Sequence, residues 1–148
     1  MDYSKFDINM IDFMNENKVQ SKTNYAMTTS LKTKYTYVFK KNTQNGKWEL
    51  LHKWISTIGK PSTPTITGEY AVDNKIPKFG MNKGYQAKWA TQIKGNYLYH
   101  SILYDASGKY IKDGRLGQEL SDGCIRLATE NAKWIYNNVP RGSKIIIH

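Results

Sequence analysis

Short runs rich in Tyr, Thr and Val, separated by turn signals, dominate the chain from about residue 23 onward. Runs with partial alternation of polar and apolar residues are typical of strands. They cover residues 23–31, 34–41 and 48–57, and two more meet at the Lys-Gly-Asn of 94–96. The Asn-Gly pair at 45–46 is a strong hairpin signal. Many short strands in one chain of 148 residues favour a single domain built as a β-sandwich or barrel.

One helix is predicted with caps at both ends. Its apolar face would be Ala128, Ala132, Ile135 and Val139, with Thr129 as the N-cap and Pro140 and Gly142 at the end. The run of three isoleucines in 143–148 predicts a closing strand that is buried on both faces. Residues 105–123 are polar and rich in glycine, which predicts a long loop, and long loops in compact domains tend to be functional.

Residues 1–21 are polar with scattered apolar positions. Ile8, Ile11 and Met14, with Met10 nearby, could line one side of a short helix. A frayed tail or the remnant of a linker explains the same composition equally well. We therefore predict that residues 1–21 lie outside a domain that spans 22–148.

The chain carries 22 Lys and Arg against 12 Asp and Glu, a formal net charge of +10. This charge favours an anionic partner: nucleic acid, an acidic membrane surface or an acidic cell-wall polymer. The lysines are scattered and no helix-turn-helix, zinc-finger or RNP signature is present, so nucleic acid is not the expected partner. No apolar run approaches the roughly 20 residues that cross a bilayer. Without a signal peptide, either the protein stays inside or a leader was removed.

Cys124 is the only cysteine, so the chain has no intramolecular disulfide and no cysteine metal cage. The histidines, His52, His100 and His148, do not pair at ligand spacing, so we expect no metal and no cofactor. A lone cysteine is commonly a small buried hydrophobe. That interpretation competes with a catalytic one.

The neighbours of Cys124 suit a nucleophile. Gly123 leaves room for substrate, Arg126 adds positive charge, and a helix predicted to start within one turn would stabilise a thiolate. In an extended segment Asp122, Cys124 and Arg126 would point to the same side. A base must then come from elsewhere, and His100, at the end of a predicted strand, is the best placed. A structural role for this histidine remains the alternative.

Several separated segments resemble the L,D-transpeptidase (YkuD-like) catalytic domain. That family carries a His, a linker of variable length, and a Ser/Thr-His-Gly-Cys core followed by Asn or Arg. The matching segments are YLYHS, GRLG, SDGCIRL and VPRGSKIII, with Trp134 in the helix, preceded by YVFKKNTQNGKWELLHKWISTIGKPSTPTITGEY. The resemblance covers roughly residues 22–148. It implies a mainly β, YkuD-like sandwich of mixed sheets with one helix after the catalytic cysteine.

The resemblance also implies a peptidoglycan L,D-transpeptidase. Cys124 would attack the bond between residues three and four of a tetrapeptide stem, release D-Ala, and pass the acyl group to a second stem as a 3→3 crosslink. His100 would be the base, the Ser101 carbonyl would hold its ring, and the N–H groups of Gly123 and Cys124 would bind the oxyanion. Carbapenems would acylate the thiol. An L,D-carboxypeptidase and a catalytically inactive wall-binding module are the alternatives.

The same resemblance places the protein outside the cytoplasmic membrane, at the cell wall or surface, with any leader or anchor absent from this chain. The expected binding residues besides Gly123 are Asp122, Arg126, Trp89 and Tyr99. Arg126 would contact a substrate carboxylate or fix its loop. Tyr85 could line the pocket too, although a core role is open for all three aromatic residues. The family loop that holds Thr65, Thr67 and Gly68 is expected to be structural.

Two departures from the family pattern matter. Asp122 stands where the family often has histidine, and an ionised carboxylate beside the sulfur would oppose the thiolate. We therefore predict that Asp122 turns toward Arg126 or another cation. The spacing of 24 residues from His100 to Cys124 is long for the family. The additional residues, 105–116, are predicted to form the edge of a lid.

Overall fold

All residues, 1–148, are described by the structure, a computed structural model. The helices are α1 (Met10–Glu16) and α2 (Thr129–Asn138), and a 3₁₀ turn spans Met81–Lys83. The strands are β1 (Tyr25–Thr29), β2 (Tyr35–Lys41), β3 (Trp48–Ile55), β4 (Ile58–Gly59), β5 (Gly68–Ala71), β6 (Lys75–Phe79), β7 (Tyr85–Lys94), β8 (Tyr97–Ser101), β9 (Leu103–Asp105), β10 (Ile111–Asp113), β11 (Glu119–Ser121), β12 (Ile125–Leu127) and β13 (Lys144–Ile147). Neither α-helix has the length and apolar character that a membrane crossing requires.

Two mixed sheets form most of the molecule. The first has five strands in the order β3–β2–β1–β13–β5, and its β1–β13 pair is parallel. The second has six strands in the order β10–β9–β7–β8–β12, with β6 also paired to β7, and its β8–β12 pair is parallel. Strands β4 and β11 form a small parallel pair. The predicted mainly β fold of mixed sheets is confirmed.

A shared core joins both sheets to helix α2. Its twelve buried residues are Met27, Val38, Val72, Ile93, Tyr99, Ile125, Leu127, Ala132, Ile135, Val139, Ile145 and Ile147. Strand β12 is followed at once by α2, so the burial of Leu127 and Ile135 on either side of that junction fixes the segment that begins at Cys124. Apolar burial of this kind contributes about 1.5–3 kcal/mol for each large side chain.

The N-terminal residues cover the outer face of the first sheet and form a second core. Its ten buried residues are Phe6, Met10, Phe13, Met14, Val19, Ala26, Tyr37, Phe39, Trp48 and Ile146. The Asn15 side-chain amide and the Trp48 backbone exchange hydrogen bonds of 2.7 and 3.0 Å, and the Trp48 indole donates to the Val19 carbonyl at 2.9 Å. The structure thus corrects the prediction that residues 1–21 lie outside the domain, because this segment supplies half of a core.

The short helix considered for this segment is present as α1, with a different buried face. Met10, Phe13 and Met14 pack inward, whereas Ile8 and Ile11 are exposed. Spacing alone could not choose between the two faces. The decisive contact is with Phe39 and Trp48 on the sheet, and it is not visible in the sequence of the helix.

The predicted strands in the first half of the chain are present as β1, β2 and β3, and those that flank residues 94–96 are β7 and β8. The hairpin at 45–46 joins β2 to β3, with Gly46 at a φ of +72°. The closing strand is β13, and Ile145, Ile146 and Ile147 are all fully buried. These predictions are confirmed.

The short strands that the sequence did not predict include β6, β10 and β11. Strand β6 contains Pro77 among lysines and pairs only with β7, as suits an edge position. Strands β10 and β11 have three residues each and lie in the segment predicted as one long loop. The N-cap of α2 is Ala128 rather than Thr129, whose hydroxyl instead hydrogen-bonds the Tyr104 hydroxyl at 2.6 Å.

Candidate active site

The parallel pairing of β8 and β12 brings His100 and Cys124 to one cavity. Arg126 lies opposite His100 in the register, and Ile125 lies opposite Tyr99. Because side chains alternate along a strand, Ile125 is in the core while Cys124 and Arg126 face away from it. The cavity has a volume of about 260 Å³ and is lined by Phe79, Tyr85, His100, Leu103, Ser121, Asp122, Cys124 and Arg126.

His100 is buried and held by its own strand. Its Nδ1 lies 2.6 Å from the Ser101 carbonyl oxygen. A carbonyl only accepts, so Nδ1 carries the proton and Nε2 is the free base in the neutral ring. The pKa of His100 is lowered to about 4, chiefly by burial and to a smaller extent by nearby Arg126, while the bond to Ser101 opposes the shift. The imidazole is therefore neutral at pH 7 and able to accept a proton.

Ser101 secures the strand behind the imidazole. Its side chain is fully buried, donates to the Ile102 carbonyl at 2.7 Å and accepts from the Lys88 backbone N–H at 2.8 Å. Trp89, which follows Lys88 in β7, has a φ of +56° and lies where β7 changes its partner from β9 to β8. The Ser101 hydroxyl thus bonds a backbone donor beside this irregular residue, and the Ser101 carbonyl orients the ring.

Cys124 is half-buried, with its sulfur beside the β7–β8 hairpin. The thiol donates to the Asn96 carbonyl at 3.2 Å. Burial raises the pKa of Cys124, and the Asp122 carboxylate adds to the rise. The Leu98 backbone N–H and the Arg126 charge oppose it. The resting sulfur is accordingly a thiol at neutral pH, next to a neutral imidazole.

The turn before Cys124 requires glycine at position 123. Gly123 has a φ of +129°, a conformation that L side chains rarely adopt. A Cβ there would lie 2.7 Å from Cε1 of Tyr97. The space beside Gly123 is thus filled by a ring of the protein, whereas the sequence predicted room for substrate.

Only one of the two predicted oxyanion donors is free. The Gly123 N–H donates to the Ser121 Oγ at 3.0 Å, and that hydroxyl donates to the Cys124 carbonyl at 2.6 Å. The Cys124 N–H has no acceptor in the protein. The helix start does not assist it either, since strand β12 separates Cys124 from Thr129.

Asp122 faces a cation, but the cation is not Arg126. Its carboxylate lies 3.0 Å from Nζ of Lys60, and its side chain is 90% exposed. Arg126 instead lies 3.5 Å from the Asp113 carboxylate, which also receives two bonds of 3.0 Å from Arg115. The Arg115 bonds chiefly lower the pKa of Asp113 to about 2.

The Arg126 guanidinium is the nearest permanent positive charge to the thiol. Its side chain is 11% exposed, and its Nε is buried with no hydrogen-bond partner. Burial lowers the pKa of Arg126, partly offset by Asp113 and Cys124. Residues 111–113, from the predicted lid edge, thus form a strand that holds Arg126 at the cavity.

Two predicted binding residues are not brought to this cavity. Tyr99 is fully buried in the shared core, and its hydroxyl bonds that of Thr29 at 2.8 Å, so it has no surface to offer a substrate. Burial raises its pKa. Trp89 packs edge-on against Tyr136 with ring centroids 5.1 Å apart, under Lys133 of helix α2. Both aromatic residues take the core role that the sequence left open.

Three further residues line the cavity. The sequence did not single out two of them and left the role of the third open. The Phe79 ring stands edge-on to the His100 ring, with centroids 5.3 Å apart. Leu103 and Tyr85 complete the wall, and the Tyr85 hydroxyl has no partner within the protein. Burial raises the pKa of Tyr85, as does the nearby Cys124. Phe79 was missed because β6 itself was missed.

The structure holds no group of three or more His, Cys, Asp or Glu side chains placed to bind a metal ion. A buried neutral imidazole and the single thiol, both lining one cavity at a parallel strand pair, define a cysteine–histidine site in a mixed-sheet β domain. The chain belongs to the L,D-transpeptidase family: the model of the YkuD L,D-transpeptidase catalytic domain matches residues 24–147.

Comparisons with individual proteins agree. YciB of Bacillus subtilis (strain 168), which bears the name of an L,D-transpeptidase, is 35% identical over 89 residues, 56% of this chain and 46% of its own. A Clostridium acetobutylicum ATCC 824 structure, described as a fused Zn-dependent amidase/peptidase/peptidoglycan-binding domain-containing protein, is 41% identical with a TM-score of 0.78, covering 94% of this chain and 58% of that one.

A structure of the L,D-transpeptidase LdtMt1 in complex with imipenem has the same fold. It has a TM-score of 0.64 at 23% identity, covering 84% of this chain and 59% of that one. The chain thus spans roughly half the length of each of these relatives.

Proposed function

We propose that this chain is the catalytic domain of a peptidoglycan L,D-transpeptidase that forms 3→3 crosslinks through a thioester on Cys124. The observation that carries the proposal is the neutral imidazole of His100, tied through Nδ1 to the Ser101 carbonyl in the cavity that Cys124 lines. This arrangement leaves Nε2 as a base, which a nucleophilic thiol requires. The carbonyl takes the orienting place that an acid occupies in other triads.

During acylation His100 first accepts a proton from the thiol and then donates it to the leaving group. Nε2 of His100 takes the thiol proton as the sulfur bonds to the carbonyl carbon of residue three of a tetrapeptide stem. The C–N bond to D-Ala then breaks, and the imidazolium returns the proton to the departing amine. The product is a thioester and free D-Ala.

The oxyanion formed in this step needs donors. The Cys124 N–H is free for that purpose, while the Gly123 N–H is already used by Ser121. The Tyr85 phenol also borders the cavity, and its raised pKa keeps its proton in place at neutral pH. Arg126 would attract a stem carboxylate, since its guanidinium carries a permanent positive charge at the wall of the cavity.

The second half-reaction decides the product. A side-chain amine of an acceptor stem that attacks the thioester gives a 3→3 crosslink, with His100 taking the amine proton. Water in the same position gives an L,D-carboxypeptidase. Both substrates are outside the cytoplasmic membrane, so this proposal places the protein at the cell wall or surface.

Intact-mass analysis with imipenem tests the nucleophile. We expect an adduct equal to one imipenem, because attack on the β-lactam carbonyl opens the ring without losing atoms. Cys124→Ala should form no adduct, and His100→Gln should form one far more slowly. His52→Gln is the matched control, since His52 stacks on Trp54 away from the cavity. An adduct that survives in Cys124→Ala would contradict the proposal.

Incubation with a disaccharide tetrapeptide tests the substrate. Release of D-Ala with a crosslinked dimer indicates transpeptidation, whereas release with a disaccharide tripeptide indicates the carboxypeptidase. If imipenem acylates the chain but neither product forms, the tetrapeptide is not the donor. No reaction with either reagent would favour the wall-binding module.

A further inference from the structure

The peptide bond between Gly123 and Cys124 is held from outside its own turn. Thr65 is 4% exposed, and its hydroxyl lies 2.8 Å from the Gly123 carbonyl oxygen. The same hydroxyl oxygen accepts from the Gly59 backbone N–H at 2.9 Å. The carbonyl can only accept, so the Thr65 proton points at Gly123. The direction of this hydrogen bond is thereby determined.

The loop that presents Thr65 is folded tightly onto Gly59. A Cβ on Gly59 would fall 2.7 Å from the Thr65 backbone nitrogen and 2.9 Å from the Pro64 carbonyl carbon, so only glycine fits there. Thr63 of the same loop donates to the Ser121 carbonyl at 2.9 Å. The loop of residues 59–65 therefore contacts the catalytic turn at two separate carbonyls.

The geometry of a trans peptide links the Gly123 carbonyl to the Cys124 N–H, the one predicted backbone oxyanion donor that is free. In a planar trans peptide the C=O of one residue and the N–H of the next point in opposite directions. The chain contains no cis peptide bond. Since Thr65 holds the Gly123 oxygen on one side, the Cys124 N–H is directed to the other side, where it has no protein acceptor.

We propose that Thr65 is a positioning residue for acyl transfer, which fixes the Cys124 N–H as the oxyanion donor by holding the Gly123 carbonyl. The inference rests on the proposed function, because an oxyanion forms only if Cys124 attacks a carbonyl. It assigns Thr65 a role in the reaction, whereas the sequence predicted a structural one.

Acylation and alkylation of the same thiol separate this role from general support of the fold. Imipenem acylation passes through an oxyanion, but iodoacetamide alkylation does not. Removing one oxyanion donor lowers enzyme rates by about 10²–10³. Thr65→Val loses only the hydroxyl that aims the donor, so we expect acylation to slow by about 10- to 100-fold. The alkylation rate and its pH dependence should match those of wild type.

Two further variants complete the comparison. Thr65→Ser keeps the hydroxyl and should restore acylation to within about threefold of wild type, well inside the range expected for loss of a donor. Thr63→Val removes a different hydroxyl of the same loop, one that bonds the Ser121 carbonyl. This variant should leave the ratio of the acylation rate to the alkylation rate unchanged. Equal slowing of acylation and alkylation in Thr65→Val would contradict the inference, as would unchanged acylation.

An NMR measurement on the wild type does not depend on the valine variant folding. The chain has a single cysteine, so ¹⁵N-cysteine labelling gives one amide signal. In the imipenem acyl-enzyme the Cys124 amide proton should move downfield as it hydrogen-bonds the thioester oxygen. An unmoved signal in an acylated sample would overturn the inference alone, whereas a wild-type chain that imipenem does not acylate would refute the proposed function as well.

Discussion

At the scale of single residues, burial sets the protonation state of the site. It lowers the pKa of His100 to about 4 and raises that of Cys124. Arg126 acts on both groups, but in each case less than burial does. The site therefore rests as a neutral thiol–imidazole pair, and the proton must move during attack on the substrate.

The first prediction concerns pH. Acylation by imipenem requires the neutral form of His100, so its rate should fall as pH drops through the pKa of about 4. The ordinary imidazole value of about 6.5 would place that fall at higher pH. Stopped-flow acylation rates between about pH 3.5 and 8 measure it, with circular dichroism checking the fold at each pH. A midpoint near 6.5 would show that the imidazole is less desolvated than the structure indicates.

The second prediction concerns Asp122. Its charge raises the pKa of Cys124 but is the smallest of the four influences, and Lys60 pairs with it at 3.0 Å. Since Lys60 offsets its charge and solvent screens an exposed ion pair, Asp122→Asn should lower the thiol pKa only slightly. Lys60→Met should raise it by a similarly small amount. The pH dependence of iodoacetamide alkylation reports both, and a marked fall in the thiol pKa of Asp122→Asn would mean that Lys60 does not neutralise the carboxylate.

At the scale of elements, helix α1 is the part whose importance was least visible beforehand. A short helix was one of the interpretations open for this segment, but its aromatic contacts on the sheet, Phe39 and Trp48, lie more than 20 residues away in sequence. Hydrophobic spacing in a seven-residue helix fits more than one face, and only the Phe39 and Trp48 surface selects Met10, Phe13 and Met14.

The third prediction measures that contact. Phe13 is fully buried, so Phe13→Ala should lower the free energy of unfolding by about 3–5 kcal/mol. Ile11→Ala, on the same helix but 42% exposed, should cost less than about 1 kcal/mol. Urea unfolding followed by tryptophan fluorescence measures both. Similar small losses in the two variants would mean that α1 is not docked on the sheet in solution.

The site shows the same division between local and long-range information. The Cys124 segment and His100 could be predicted because motif and flanks lie in the sequence. The exclusion of Tyr99 could have been predicted as well, because consecutive side chains of a strand face opposite ways and His100 was expected at the site. The exclusion of Trp89 could not, since it depends on the irregular backbone at that residue. Thr65 was visible as part of a family loop, yet its bond to Gly123 spans 58 residues.

At the scale of the whole molecule, the fourth prediction follows from the net charge of +10. Binding to isolated Gram-positive cell walls, which are polyanionic, should weaken as NaCl rises from about 50 mM to about 0.5 M, because salt screens exposed charges. Cosedimentation measures the bound fraction. Cys124→Ala keeps the same charge and should bind equally. Binding that is insensitive to salt would indicate recognition by contacts other than charge.

Strand β13 has a consequence for how the protein is made. It lies between β1 and β5, and its isoleucines enter both cores. Ile145 and Ile147 belong to the core shared with helix α2, and Ile146 belongs to the core that the N-terminal residues complete. Strand β13 must therefore emerge from the ribosome, up to residue 147, before either hydrophobic core can form completely. Until then the nascent chain exposes strand edges and apolar surface, which makes this incomplete state prone to aggregation.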